Sequence, residues 1–393
     1  MKTQALRLAE LSRFWPGLFA ALVFVSCGPG KATVDTRTPL PFAEVRERGI
    51  EACMDYYQVP GCAWAVLDES GVRTGTAGNI FMGSNEEIEI THHFQIGSLG
   101  KSFTSLMAAK CVEDGLLNWD SRIFSVLPDW EKNARTEYGD LTLSDLLSHR
   151  TNLQPLNKHS TRVDRKTGKL VYTDIPNFTG TEAERRSAFC QYALSLQPAE
   201  TEGFSYGNSG YCIAGCMLER VRGKTWEELA LQLAADLDME IGFERPNRFD
   251  PSQPWGHLRI KQTRLEPVSA SETKVYNDPI LAPAGNIHVN IIDFSKYVRQ
   301  YMNGLKNKSG YVSSESYQYL LSGRESYAMG WYNEHETDSI FYHYGSEGSF
   351  YCHMMIFANL NSAIIIFTNA PGIADTENFI NDARNYLKDN YII

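Results

Sequence analysis

The chain has 393 residues, 43% of them hydrophobic and 21% charged, with 30 glycines and 16 prolines. That balance excludes collagen-like and low-complexity chains, and it supplies apolar surface for a large core in one or two domains or one two-lobed unit. A formal charge of −10 is the opposite of the basic footprint of a nucleic-acid binder, so no nucleic-acid partner is expected.

Lys2, Arg7 and Arg13 precede an apolar run over residues 14–25 and the junction Ser26-Cys27-Gly28. A short apolar run after a basic start reads as a secretory signal peptide over residues 1–26; a spanning helix needs about 20 apolar residues. Phe24-Val25-Ser26-Cys27 resembles a bacterial lipobox. The resemblance implies cleavage before Cys27, lipid on Cys27, a tether over residues 27–42, and an exported protein held to a cell-envelope membrane, facing periplasm or exterior. The plainer reading is a secreted protein with an incidental cysteine.

Residues 42–57 place Phe42, Val45, Ile50, Cys53, Met54 and Tyr57 near a helical stripe, stopped by Pro60. Residues 61–67 and 72–80 read as two strands around Glu69-Ser70-Gly71. Helical periods dominate residues 100–300, starting with Phe103, Leu106, Met107, Cys111 and Val112, and no βαβ alternation appears. Residues 339–344, 349–357 and 363–368 are β-rich runs with short polar turns. A last helix has Asp375 and Thr376 as capping candidates and Phe379, Ile380, Ala383, Tyr386 and Leu387 on one face. The expected fold is α+β: a mostly antiparallel sheet flanked by N- and C-terminal helices, plus an all-helical lobe. The α/β lobe takes about 43–112 and 282–393, the helical lobe about 113–281.

Seven cysteines follow Cys27, an odd number in a long chain, so the fold does not rest on a disulfide framework. Most sit in apolar contexts and are expected to pack as small hydrophobes; one disulfide is allowed, with no pair singled out. Cys212 and Cys216 lack companion ligands and no His-Glu-x-x-His occurs, so neither metal nor cofactor is expected.

Chemistry begins at Ser98-Leu99-Gly100-Lys101, just ahead of the first helix of the middle region. A serine hydroxyl attacks only when a neighbouring base takes its proton, and a lysine is such a base once burial lowers its pKa. One turn of helix puts Lys101 on the face of Ser98, and the helix N-terminus offers N–H groups to an oxyanion. The spacing alone says little: Ser271-Glu272-Thr273-Lys274 repeats it with no helix behind it, and Ser98 is otherwise an ordinary N-cap. Tyr206-Gly207-Asn208 heads an apolar helix, whereas Tyr301-Met302-Asn303 ends one. Three further stretches stand out: Leu141–His149, Pro283–His288 with Asp293-Phe294, and Tyr327–Trp331.

In this order the motifs resemble the serine β-lactamase and penicillin-binding-protein superfamily, above all its class C-like branch of β-lactamases, DD-peptidases, D-aminopeptidases and carboxylesterases, over roughly residues 43–393. Arg150-Thr151-Asn152-Leu153 departs from the usual Thr-Ser-Gly-Leu. So does the third motif. Lys166-Thr167-Gly168 comes too early and in a charged turn; the matching position holds His343-Tyr344-Gly345, as in esterase- and peptidase-like members. A neutral His343 and a bulky Tyr344 cannot hold a substrate carboxylate as Lys and Thr do.

The resemblance implies Ser98 as nucleophile, Lys101 and Tyr206 sharing the base function, and Asn208 orienting Lys101 and the substrate amide. It also implies His343 polarising or positioning Tyr206, Gly345 admitting substrate, and Ser346 N–H joining Ser98 N–H in an oxyanion hole. Glu347 favours an amine-bearing substrate or is a surface turn residue. The basic stretch 158–169 steers an anionic substrate or is a solvated loop. The expected function is hydrolysis of a small-molecule or peptide ester or amide through an acyl-serine. The alternatives are a β-lactamase or DD-carboxypeptidase, and a non-catalytic binding or sensor lipoprotein.

Overall fold

The computed structural model describes residues 38–157, 161–163, 170–201, 203–260, 264–272, 279–334 and 339–393, and Thr36–Ile393 pack as one compact unit. The expected signal peptide, Cys27, most of the tether, Lys166-Thr167-Gly168, most of the basic stretch and the Thr273-Lys274 end of the second Ser-x-x-Lys lie outside the described residues.

Helix α1 (Phe42–Tyr57) leads to the hairpin β1 (Gly61–Asp68) and β2 (Gly71–Gly78). Strand β3 (His93–Gln95) passes through one 3-10 turn, Gly97–Leu99, into α2 (Gly100–Glu113). The middle holds α3 (Ile123–Val126), α4 (Leu143–Leu147), the hairpin β4 (Thr161–Val163) and β5 (Leu170–Tyr172), α5 (Glu182–Ser195), α6 (Asn208–Arg222) and α7 (Trp226–Asp236). Next come β6 (Ile241–Phe243), the hairpin β7 (His257–Ile260) and β8 (Arg264–Pro267), α8 (Ala282–Gly285), β9 (Ile287–Asn290), α9 (Ile291–Leu305) and α10 (Ser314–Ser322). The chain closes with β10 (Tyr332–Glu334), β11 (Ile340–Ser346), β12 (Tyr351–Phe357), β13 (Ser362–Thr368) and α11 (Ala374–Tyr391).

The main sheet runs β10-β11-β12-β13-β1-β2 and is antiparallel throughout, so the two ends of the chain meet where β1 pairs β13. Both faces are covered. Ile364 and Ile366 face Cys53, Met54 and Tyr57 of α1 and Phe379, Ile380 and Leu387 of α11. Ala363, Ile365 and Phe367 face the larger core with Phe103 and Leu106 of α2. Burial on both sides explains why Ser362–Thr368 is a continuous apolar run rather than an alternating one.

The α+β architecture with its antiparallel sheet and terminal helices is therefore as the sequence implies. Two details differ. The stretch expected to be all-helical also carries the hairpins β4-β5 and β7-β8 and strand β6, which joins β3 and β9 of the other lobe in a second sheet, because runs of three or four residues show no period to read. Helix α11 has Ile373 at its N-cap, so Asp375 lies in the first turn, where its charge meets the helix dipole, and does not cap.

One buried cation joins the helices behind the site. Arg186 of α5 is fully buried and donates to Glu227 at 2.9 and 2.8 Å, to Glu219 at 2.7 Å and to the Pro279 carbonyl at 3.0 Å. Glu219 lies in α6 and Glu227 in α7, so three helices share one guanidinium. The substitution Arg186→Ala strands two carboxylates and is expected to cost roughly 3–5 kcal/mol of stability in urea titration. A loss below about 1 kcal/mol would show that the helices hold together without it.

Candidate active site

Ser98 is placed by strand pairing. Gln95 of β3 pairs with His288 of β9, the Ile96 N–H donates to the Ile287 carbonyl at 2.9 Å, and the chain then turns at Gly97 with φ +52°. Neither this turn nor α2 is capped by a side chain, so the half-buried Ser98 hydroxyl is not spent as an N-cap. Strand β11 lies against the same turn. A Cβ on Gly345 would fall 1.8 Å from the Ile96 carbonyl oxygen, and one on Gly97 would fall 2.6 Å from the Ser346 nitrogen. Glycine at 345 thus makes room for the backbone that leads into Ser98. The nitrogen of Ser346, an exposed residue, is brought beside the Gly97-Ser98 turn, as two converging oxyanion donors require.

Lys101 is fully buried and its amine sits 3.1 Å from Ser98 Oγ, 2.9 Å from Asn208 Oδ1 and 2.9 Å from the Ala284 carbonyl. Among the described residues no carboxylate bonds it. Burial therefore dominates and lowers its pKa to about 7, with Cys212 and then Glu347 pulling the other way. A neutral amine has two hydrogens and one lone pair. Asn208 Oδ1 and the Ala284 oxygen only accept, so they take both hydrogens and leave the lone pair for the Ser98 proton.

The Tyr206 side chain lies near enough to Ser98 for the serine to favour its charged form, and its ring lies 4.8 Å from the Lys101 nitrogen. Burial among other tyrosines pushes its phenol well above the ordinary range, so it stays protonated. Two residues that the motifs do not single out hold the Tyr206–Asn208 backbone. Asn157 donates to the Tyr206 carbonyl at 3.1 Å and accepts from Asn208 N–H at 3.0 Å. His149 accepts from Ser205 N–H on its carbonyl at 2.9 Å and from Gly207 N–H on Nδ1 at 3.3 Å, with its ring 4.4 Å from Tyr206. His149 lay within a conspicuous stretch, but nothing in the sequence marks Asn157, and the Ala284 carbonyl belongs to the backbone.

His343 is buried and does not hydrogen-bond Tyr206, so of the two roles expected of it, polarising or positioning Tyr206, direct polarisation has no bond to act through. Its Nδ1–H donates to the Tyr344 carbonyl at 2.6 Å, which leaves Nε2 to accept from the Tyr327 hydroxyl at 3.1 Å. Its ring is 6.1 Å from that of Tyr206, and Tyr327 packs edge-on between the two networks. Desolvation lowers its pKa to about 3, so it is uncharged. The second Tyr-x-Asn is structural: Tyr301 lies inside α9 and meets Tyr297 at 3.1 Å. The seven described cysteines are buried and free.

The Beta-lactamase family profile matches residues 47–386 of the chain. The chain is 24% identical to penicillin-binding protein 4 of Amycolatopsis lactamdurans, over 48% of this chain and 45% of that protein. It is 24% identical to unguisins hydrolase ungD of Aspergillus violaceofuscus, over 65% of this chain and 44% of that protein. The chain thus spans less than half the length of these relatives. A class C β-lactamase from Rhodobacter sphaeroides superposes with a TM-score of 0.68 at 16% identity, covering 88% of this chain and 99% of that one.

Two outcomes are expected from this geometry. The rate at which a fluorophosphonate labels Ser98 should rise about tenfold per pH unit up to pH about 7, where Lys101 loses its proton, and then level off. A flat profile from pH 5 to 9 would remove Lys101 as the base. Gly345→Ala should abolish labelling and cost roughly 1–3 kcal/mol, because backbone must move to admit the methyl group; native-like labelling would show that the strand and turn are less closely packed than the distances require.

Proposed function

The chain belongs to the Beta-lactamase family and is a serine hydrolase by fold, and we propose that it cleaves an ester or amide through an acyl-Ser98 intermediate. The observation that carries this reading is the Lys101 amine, buried without a carboxylate and with its lone pair left to Ser98. In the proposed sequence Lys101 takes the Ser98 proton and Oγ adds to the substrate carbonyl. The Ser98 and Ser346 N–H groups hold the oxyanion, and Asn208 keeps Lys101 in line. The tetrahedral adduct collapses when the Tyr206 phenol passes a proton to the leaving group, Tyr206 being resupplied from Lys101. Water then attacks the acyl-enzyme by the same path, releasing the acid and restoring Ser98.

The substrate we propose is a small-molecule or peptide ester or amide, not one anchored by a carboxylate at the third motif. Both ring nitrogens of His343 are already bonded, and Tyr344 stacks on His353 at 4.6 Å, so neither replaces a Lys-Thr pair. On the N-terminal pattern alone, we further propose export to the cell envelope with lipid on Cys27. Among the described residues no helix is long and apolar enough to cross a membrane.

The test is turnover of p-nitrophenyl butyrate and nitrocefin by the purified protein and its Ser98→Ala variant. Butyrate hydrolysis that falls at least roughly 10³-fold in the variant, with little nitrocefin turnover, is expected. Rapid Ser98-dependent nitrocefin hydrolysis would overturn the argument from His343, and fluorophosphonate failing to label Ser98 would leave a binding protein.

A further inference from the structure

Resting on the hydrolase reading above, we infer that Glu347, one residue past the Ser346 N–H of the proposed oxyanion hole and unpaired among the described residues beside the Ser98 site, is the anchor for a protonated amine on the acyl half of the substrate.

Three observations place Glu347 at the site. It follows the segment Gly345-Ser346 that packs on the Ile96-Gly97 backbone, its charge is felt by both Lys101 and Tyr206, and its own backbone is fixed by the bond from Glu347 N–H to the Phe350 carbonyl at 3.3 Å. Its carboxylate is half-buried, and among the described residues it has no hydrogen bond or ion pair. The cation whose field reaches it is Lys101, yet all three bonds of that amine go elsewhere, to Ser98, Asn208 and Ala284. A partly desolvated carboxylate without a donor is unfavourable in the empty site, as its upward-shifted pKa reflects. An ammonium supplied by substrate meets that deficit directly, through a charge-assisted hydrogen bond in a partly dry setting.

The order of groups along the strand selects the acyl half. Tyr206, which hands the leaving group its proton, packs against Tyr327 and so against His343, three residues before Ser346. Glu347 lies beyond Ser346 in the other direction. A carbonyl whose oxygen points at Ser346 N–H has its leaving group toward Tyr206 and its acyl chain toward Glu347. The substrate class is therefore aminoacyl esters or amides with a free amine.

Two isosteric pairs test this with an achiral acyl group: p-nitrophenyl β-alaninate against the butyrate, and the glycinate against the propanoate. In each pair an ammonium replaces a terminal methyl. The native enzyme should prefer the ammonium member by at least tenfold in kcat/KM in one pair or both, and Glu347→Gln should bring that ratio to about one or below. An unchanged ratio in the variant, or a native preference for the methyl members, overturns the inference while Ser98-dependent butyrate turnover leaves the hydrolase reading standing. If no ester is cleaved and fluorophosphonate leaves Ser98 unlabelled, the hydrolase reading itself fails and the inference falls with it.

Discussion

An amine taken out of water without a counter-ion must either find an anion or give up its proton, and that constraint on Lys101 organises its surroundings. The same molecule shows both outcomes. Arg186, equally buried, is bonded by Glu219 and Glu227 and is held firmly as a cation. Among the described residues Lys101 is bonded only to neutral oxygens, from α2's own preceding turn, the first residue of α6 and the third residue of α8. Bringing those three segments to one nitrogen requires the close backbone packing at Gly345 and Gly97 and the helix assembly that Arg186 ties behind it.

The rest of the pocket is arranged to stay uncharged. His149 and His343 are both desolvated and next to Lys101, which pushes each toward its neutral form. Tyr206, Tyr211 and Tyr327 are driven the other way, toward the protonated phenol. With histidines neutral and phenols intact, the environment suits Lys101 to the proton acceptor's part proposed for it near neutral pH, and Tyr206 to that of a relay and not a tyrosinate. This division between base and relay follows from environment, since neither residue's identity dictates it.

Much of this is legible in the sequence, and the remainder is illegible for definite reasons. The helix at 42–57 and the strands near 61–68 and 362–368 announce themselves because burial on one or both faces imposes an apolar pattern. Ser98, Lys101, Tyr206 and Asn208 are visible as motifs and do converge. The short strands from β4 to β9 leave no periodic trace. Ala284 contributes a carbonyl, which every residue has, and Asn157 acts through backbone contacts whose partners lie about 50 positions away. His343 misled for a different reason: a motif position fixes where a side chain starts, while the tautomer and partner depend on Tyr327, which approaches from another segment.

On the proposed reaction, the departure at the third motif bears on what would be recognised, not on what would be done. The reacting atoms depend on Lys101, the Ser98 turn and two backbone N–H groups, and β11 touches that turn through the backbone of Gly345 and Ser346. The side chain at 343, on that strand, and the one at 347, just past its end, have no described hydrogen bond to Ser98 or Lys101. Substitution there re-shapes the walls on either side of the scissile bond and leaves the proton path intact. Gly345 has no such freedom, because its missing side chain is the space that the nucleophile's turn occupies. A fold built this way separates a buried, constrained reaction centre from a strand whose alternate residues are open to change, which is how one arrangement of serine and lysine serves chemically different acyl groups.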